Sequence, residues 1–211
     1  MLFHKLLYFI VKCLIRHLYF NMNKIKAFLI LLIAFTSISF TDTRADIKEV
    51  KVKESKVVWK GYKVAGSHTG IIALKAGALL LDGEVLKGGD FVVDMTSISC
   101  TDLESKRKEK LEKHLKSDAF FGVEKYPTAL LTLTKVKASG ENEYNVSGDL
   151  TIKGKKDAVN FVISVFGNSA KASLKIDRAK YGVTYANSSF FDGLKDKVID
   201  DEFDIIVDLK F

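Results

Sequence analysis

The sequence predicts an all-β domain, barrel or sandwich, over residues 46–211, with a single helix near its middle. Three observations carry this. Apolar and polar residues alternate with period two in segment after segment, as in half-buried antiparallel strands. Short turn signals separate those segments. One stretch, 101–117, abandons the alternation for charged, helix-forming residues.

Candidate strands lie at 48–53, 56–64, 70–75, 78–86 and 89–95, and another at 128–137. "YNVSGDLTI" sets Tyr144, Val146, Gly148, Leu150 and Ile152 against Asn145, Ser147, Asp149 and Thr151. "VNFVISV" aligns Val159, Phe161, Ile163 and Val165; "AKASLKI" aligns Ala170, Ala172, Leu174 and Ile176. "FDIIVDLKF" places Phe203, Ile205, Val207, Leu209 and Phe211 on one face, with Asp204, Asp208 and Lys210 on the other. "SGEN" at 139–142 and "KGKKD" at 153–157 read as hairpin turns.

The helix is expected over about 102–116. Thr101 with Glu104 reads as a capping box. Its apolar seam is only Leu103, Leu111 and Leu115, so most of it is a solvated charged face lying across one end of the sheet. A second reading makes it a basic collar around a ligand mouth. After it comes "KSDAFFGVEKYP", with Pro127, the one proline of the chain, at the first edge of the next strand. Phe120 and Phe121 cannot both face one core if this segment is extended. The pair echoes at Phe190 and Phe191 in "SFFDG".

Ahead of the domain, residues 22–45 have the form of a secretory signal peptide: Lys24 and Lys26, an apolar run from Ala27 to Phe35, and Thr43-x-Ala45 as a cleavage site. That pattern starts at Met22. Residues 1–21 are therefore an artefact of start assignment or an extra N-terminal anchor, and the first reading is preferred. The chain carries +7, but residues 1–45 hold six of the 33 Lys/Arg and one of the 26 Asp/Glu, which leaves 46–211 at +2. A nucleic-acid partner would want a strong basic stripe on the domain, and none is present. Cys100 stands alone in 46–211, so no disulfide forms within it, despite the oxidising compartment that export implies.

The catalytic inventory is thin. There is no G-x-S-x-G elbow, no H-E-x-x-H site and no phosphate-binding glycine loop. A metal site needs several converging donors, and only His68 and His114 remain as histidines in 46–211. His68, in "GSHTG", reads first as a satisfied strand-end residue and second as an anchor for a ligand head group. Alternation also leaves a sign ambiguity, because an outer-membrane barrel turns its apolar face outward. The charged helix and the sparse apolar surface of "KEVKVKESK" argue against that architecture.

A set of motifs spans nearly all of 46–211: "VVWKGYKVAGSHTG", "GGDFVVDMTSIS", "KLEKHLKSDAFFGVEKYPTALLTLTKV", "YNVSGDLTIKGKKDAVNF", "KIDRAKYGVTY" and "DKVIDDEFDIIVDLKF". In these the chain resembles the YceI-like family. The resemblance implies a lipocalin-like, closed or nearly closed antiparallel barrel of about eight strands, one end covered by the helix. It implies an exported, periplasmic or extracellular protein that sequesters or carries a polyisoprenoid or similar long-chain lipid, without catalysis and without a cofactor. A transient membrane contact and a homodimer are compatible with it. Two departures bear on the pocket: "KEKLEKHL" lacks the arginine–aspartate element of many members, and "GIIALKAG" has aliphatics where many carry an aromatic.

Strand parity and the resemblance together nominate ligand contacts at pocket or rim. These are Trp59, His68, Phe91, Val93, His114, Phe120, Phe121, Tyr126, Leu131, Leu150, Phe161, Ile163, Phe190 and Phe191. The alternatives are an outer-membrane structural barrel and an enzyme on an amphipathic substrate with His68 or His114 as base.

Overall fold

The computed structural model describes residues 45–64, 66–186 and 198–211. The 1–21 segment, nearly all of the expected signal peptide at 22–45 and the Phe190–Phe191 pair lie outside the described residues.

The strands are β1 (Asp46–Glu49), β2 (Lys56–Lys63), β3 (Gly66–Asp82), β4 (Val85–Cys100), β5 (Thr128–Gly140), β6 (Glu143–Ile152), β7 (Lys155–Phe166), β8 (Ser169–Asp177) and β9 (Ile199–Lys210). Helix α1 (Ser105–Lys116) joins β4 to β5, and a 3₁₀ turn (Arg178–Tyr181) follows β8. Eight strands form a closed antiparallel ring, β3-β2-β9-β8-β7-β6-β5-β4, which returns to β3. β1 lies on the same edge of β3 as β2, farther along it, pairing Asp46 with Leu81 and Glu49 with Ala78. Closure leaves no free edge in the ring.

The period-two faces turn as their polarity dictates. Val146, Leu150, Ile163, Leu174 and Leu209 are buried, while Lys171, Lys175 and Asp149 face outward. Lys175 pairs with Asp204 across β8 and β9 at 3.3 Å. Apolar inside and charged outside is the polarity of a barrel built for water.

Three elements differ from the sequence reading. Expected strands 70–75 and 78–86 are one strand and the start of another, because the chain reverses at Gly83 (φ +62°) and Glu84. Asp82-Gly83 is the turn signal there, and the expected strand 78–86 ran through it. Expected strand 48–53 ends at Glu49, where Val50 N–H donates to Gly77 C=O instead. The capping box does not form: Glu104 sits at the N-cap with no side-chain bond, and the Thr101 hydroxyl donates to Thr69 C=O. The two expected hairpins turn where their residues permit, at Asn142 (φ +60°) and at Lys153–Gly154 (φ +52° and +72°).

Strand β4 changes inward parity along its length. Phe91, Val93 and Met95 face inward, and then Ile98 and Cys100 do. A bulge opposite Ile71–Ala73 makes the switch. Asp94 organises it, accepting from the Thr96 amide at 2.9 Å and hydroxyl at 2.6 Å, while the Ser97 hydroxyl donates to Asp94 C=O.

Candidate functional site

The barrel interior is packed at one end and open in the middle. Leu79, Leu86, Phe91, Tyr144, Val146 and Phe211 fill one end. At the other, Trp59, Ile98, Phe120, Phe121 and Ile176 pack with Leu115 of α1. Between and above them is a cavity of about 180 Å³. Its wall is almost wholly side chains of Val, Leu, Ile, Phe, Met and Trp; among the described residues the charged ones in it are Arg178 and Asp200. A smaller engineered cavity, about 150 Å³ with such a lining, stays dry and takes up benzene.

The structure places nine of the nominated residues on this wall: Trp59, Phe91, Val93, Phe120, Phe121, Leu131, Leu150, Phe161 and Ile163. Three lie off it. His68 sits at the start of β3 beside Asp102, with Nδ1 3.0 Å from Oδ2. Tyr126 is partly exposed and covers the β6–β7 turn at Gly154. His114 packs edge-on between Tyr185 (ring centres 4.4 Å apart) and Phe120 (5.6 Å). Among the described residues its Nε2 is buried without a hydrogen-bond partner, and burial holds the ring below the ordinary histidine range.

Trp59 is placed by a glycine. A Cβ on Gly70 would lie 1.9 Å from Ser99 O and 2.5 Å from the indole, so only glycine admits the ring there. Trp59 Nε1–H then donates to Ser99 C=O at 3.2 Å. Phe120 and Phe121 both reach the wall because their segment is a turn, not a strand. It folds back under the helix end: Phe121 N–H donates to Leu115 C=O and Val123 N–H to Lys116 C=O. Gly122 takes φ +58° to complete it, and Lys153 Nζ donates to Asp118 C=O and Phe120 C=O at 2.8 Å each. The two rings stand edge to face, 4.9 Å apart.

Sequence reasoning passed over Gly61, Met95, Ile98, Leu115 and Arg178 on the wall. Arg178 left a trace, as a lone arginine directly after an alternating strand. Its side chain is 2% exposed and spends its donors on main-chain oxygens. Nε donates to Asp200 O (3.0 Å), one terminal nitrogen to Val183 O (2.8 Å) and Tyr185 O (2.9 Å), and the other to Ile199 O (2.9 Å). The second also meets Asp201 at 3.3 Å. Burial lowers its pKa against the neighbouring aspartates, yet a guanidinium stays charged in proteins. It is a staple binding the loop after β8 to the start of β9, not a free cation for a ligand. Beside it Tyr181 is buried, and burial, with Asp157 and Asp177 near, pushes its hydroxyl up to about 12.

The family model described as YceI-like domain matches residues 37–211. Curated relatives match shorter stretches. A UPF0312 protein of Photorhabdus laumondii is 45% identical over 58 residues, 28% of this chain and 29% of its own length. Protein YceI of Escherichia coli O157:H7 is 35% identical over 71 residues, 34% of this chain and 36% of its own. These matches therefore span well under half of those relatives. Among solved structures, BcnA of Burkholderia cenocepacia superposes with a TM-score of 0.59 at 22% identity, over 76% of this chain and 98% of that one. A polyisoprenoid binding domain of Saccharophagus degradans, implicated in plant cell wall breakdown, gives 0.56 at 14% identity, over 78% and 97%. At these identities the superpositions establish the fold.

Proposed function

The chain belongs to the YceI-like domain family, and from that membership we propose that it is an exported, most simply periplasmic, protein that carries or sequesters an amphipathic long-chain lipid of polyisoprenoid type. The observation that carries the reading is the apolar cavity inside a closed, water-compatible barrel. An apolar wall with few polar groups is the usual form of a hydrophobic ligand site. Each five-carbon prenyl unit moved from water into it contributes about 4 kcal/mol before ordering costs. A polyisoprenoid binding domain on the same fold supports this choice of ligand class.

The role is binding, not catalysis, and it calls for no cofactor. The inward apolar face speaks against an outer-membrane barrel, whose lumen is polar.

The test is native mass spectrometry of the purified protein with solvent extraction of what it holds. A co-purifying prenyl or acyl chain, or uptake of such a probe by emptied protein, is the expected result. Protein that holds no lipid and takes up no probe ends the proposal.

A further inference from the structure

We propose that His68, Cys100 and Asp102 form a three-ligand site for a divalent transition metal, zinc fitting best, set beside the cavity and independent of any lipid. His68 comes from β3, Cys100 is the last residue of β4, and Asp102 lies on the link to α1. The fold brings the three together from far apart in sequence. Asp102 stands between the others: Oδ2 lies 3.0 Å from His68 Nδ1, and Oδ1 lies 2.9 Å from Cys100 Sγ. All three donor atoms fall within 4.8 Å of one another.

A tetrahedral zinc ion binds nitrogen and oxygen at about 2.0–2.2 Å and sulfur at about 2.3 Å, so its ligands stand roughly 3–4 Å apart. His68 and Cys100 each meet a different Asp102 oxygen, so with one oxygen as ligand the longer separations, none above 4.8 Å, must close by about 1 Å. Imidazole, thiolate and carboxylate together select a borderline-soft cation over calcium or magnesium. Three protein ligands leave the fourth position to water. The ion can arrive from solvent, because the side chains of His68 and Asp102 are 25% and 30% exposed while Cys100 is fully buried behind them.

The donors are held from behind, as metal ligands generally are. Thr69 N–H donates to Asp102 Oδ1 at 3.2 Å. Glu112 of α1 accepts from the Cys100 amide at 2.9 Å and the Ser99 hydroxyl at 2.8 Å, which fixes the main chain that carries the sulfur. Binding replaces the thiol proton of Cys100, which leaves to solvent. It also takes up His68 through Nδ1, with the ring proton on Nε2. The ion would then tie β3 to the β4–α1 link at the end of the barrel where the helix sits.

The competing account is a metal-free hydrogen-bond hub made of the same groups. Chelator-treated protein titrated with Co²⁺ alone separates the two. The site gives a one-to-one thiolate-to-cobalt absorption band in the near ultraviolet, displaced by Zn²⁺. Cys100→Ser abolishes the band, and His68→Ala weakens binding by at least about tenfold. Circular dichroism reports whether each variant folds. Should Cys100→Ser unfold, His68→Ala, on a partly exposed side chain, carries the test. No thiolate band with stoichiometric Co²⁺, or a band of unchanged affinity in His68→Ala, overturns the proposal and leaves the hub.

Discussion

Gly61 lies on the cavity wall two residues beyond Trp59, and a Cβ placed on it would meet nothing within 4 Å among the described residues. The space there is kept by a missing side chain. Gly61→Leu is therefore expected to leave folding intact and shrink the cavity. Displacing two ligand methylenes forfeits about 1.6 kcal/mol, roughly tenfold in affinity. Probe titration beside thermal denaturation checks it, and unchanged affinity in a folded variant would refute it. Arg178 presents the opposite case. Arg178→Lys keeps the charge but loses the fork that meets four carbonyls, and lysine cannot replace it. A loss of about 3–5 kcal/mol is expected in urea unfolding, as for other broken buried charge networks; a loss below about 1 kcal/mol would mean the staple is idle. At this scale the sequence was partly legible. Parity placed Leu150, Phe161 and Ile163 correctly, because strands β6 and β7 run without interruption where they lie. It could not place Phe120 and Phe121, since parity describes extended chain and theirs is a turn.

The elements add the helix and its packing. α1 contributes Leu115 to the cavity wall and Glu112 to the β4 terminus, and His114 between them sits against Phe120 and Tyr185. The folded protein resists protonating His114, whereas an unfolded histidine takes up its proton near pH 6.5. The unfolded state thus binds more protons below that value, and stability falls as the pH drops through it. Unfolding midpoints measured between pH 7.5 and 5.5 are expected to decline. In His114→Phe, which keeps the ring contacts, the decline is expected to flatten; an identical slope would assign it elsewhere. The helix was legible from its composition, but its start was not. Thr101 and Glu104 have the spacing of a capping box, yet Thr69 C=O offers the Thr101 hydroxyl a tertiary partner that no local pattern reveals. The β3–β4 hairpin is a different case. There the signal was present and passed over: Asp82-Gly83 breaks the apolar run between Leu81 and Val85 and is a hairpin turn pair in its own right.

At the scale of the molecule, the fold class followed from alternation and short turns, which local sequence controls. The ring did not. Alternation alone fits a barrel or a sandwich, and what decides is the pairing of β2 with β9. His68, Cys100 and Asp102 were likewise invisible as a group, since β3 and β4 must pair before they meet. Most neighbours in the ring are successive hairpins, yet its closure joins Val57 to Val207 and Trp59 to Ile205. Contacts so distant in sequence form slowly, because the loop entropy is spent before they form. Until β9 docks, the chain holds an open ring, with the edges of β2 and β8 unpaired. An open ring of this kind exposes two strand edges to any other chain, so pairing of β9 is also what guards the barrel against edge-to-edge association.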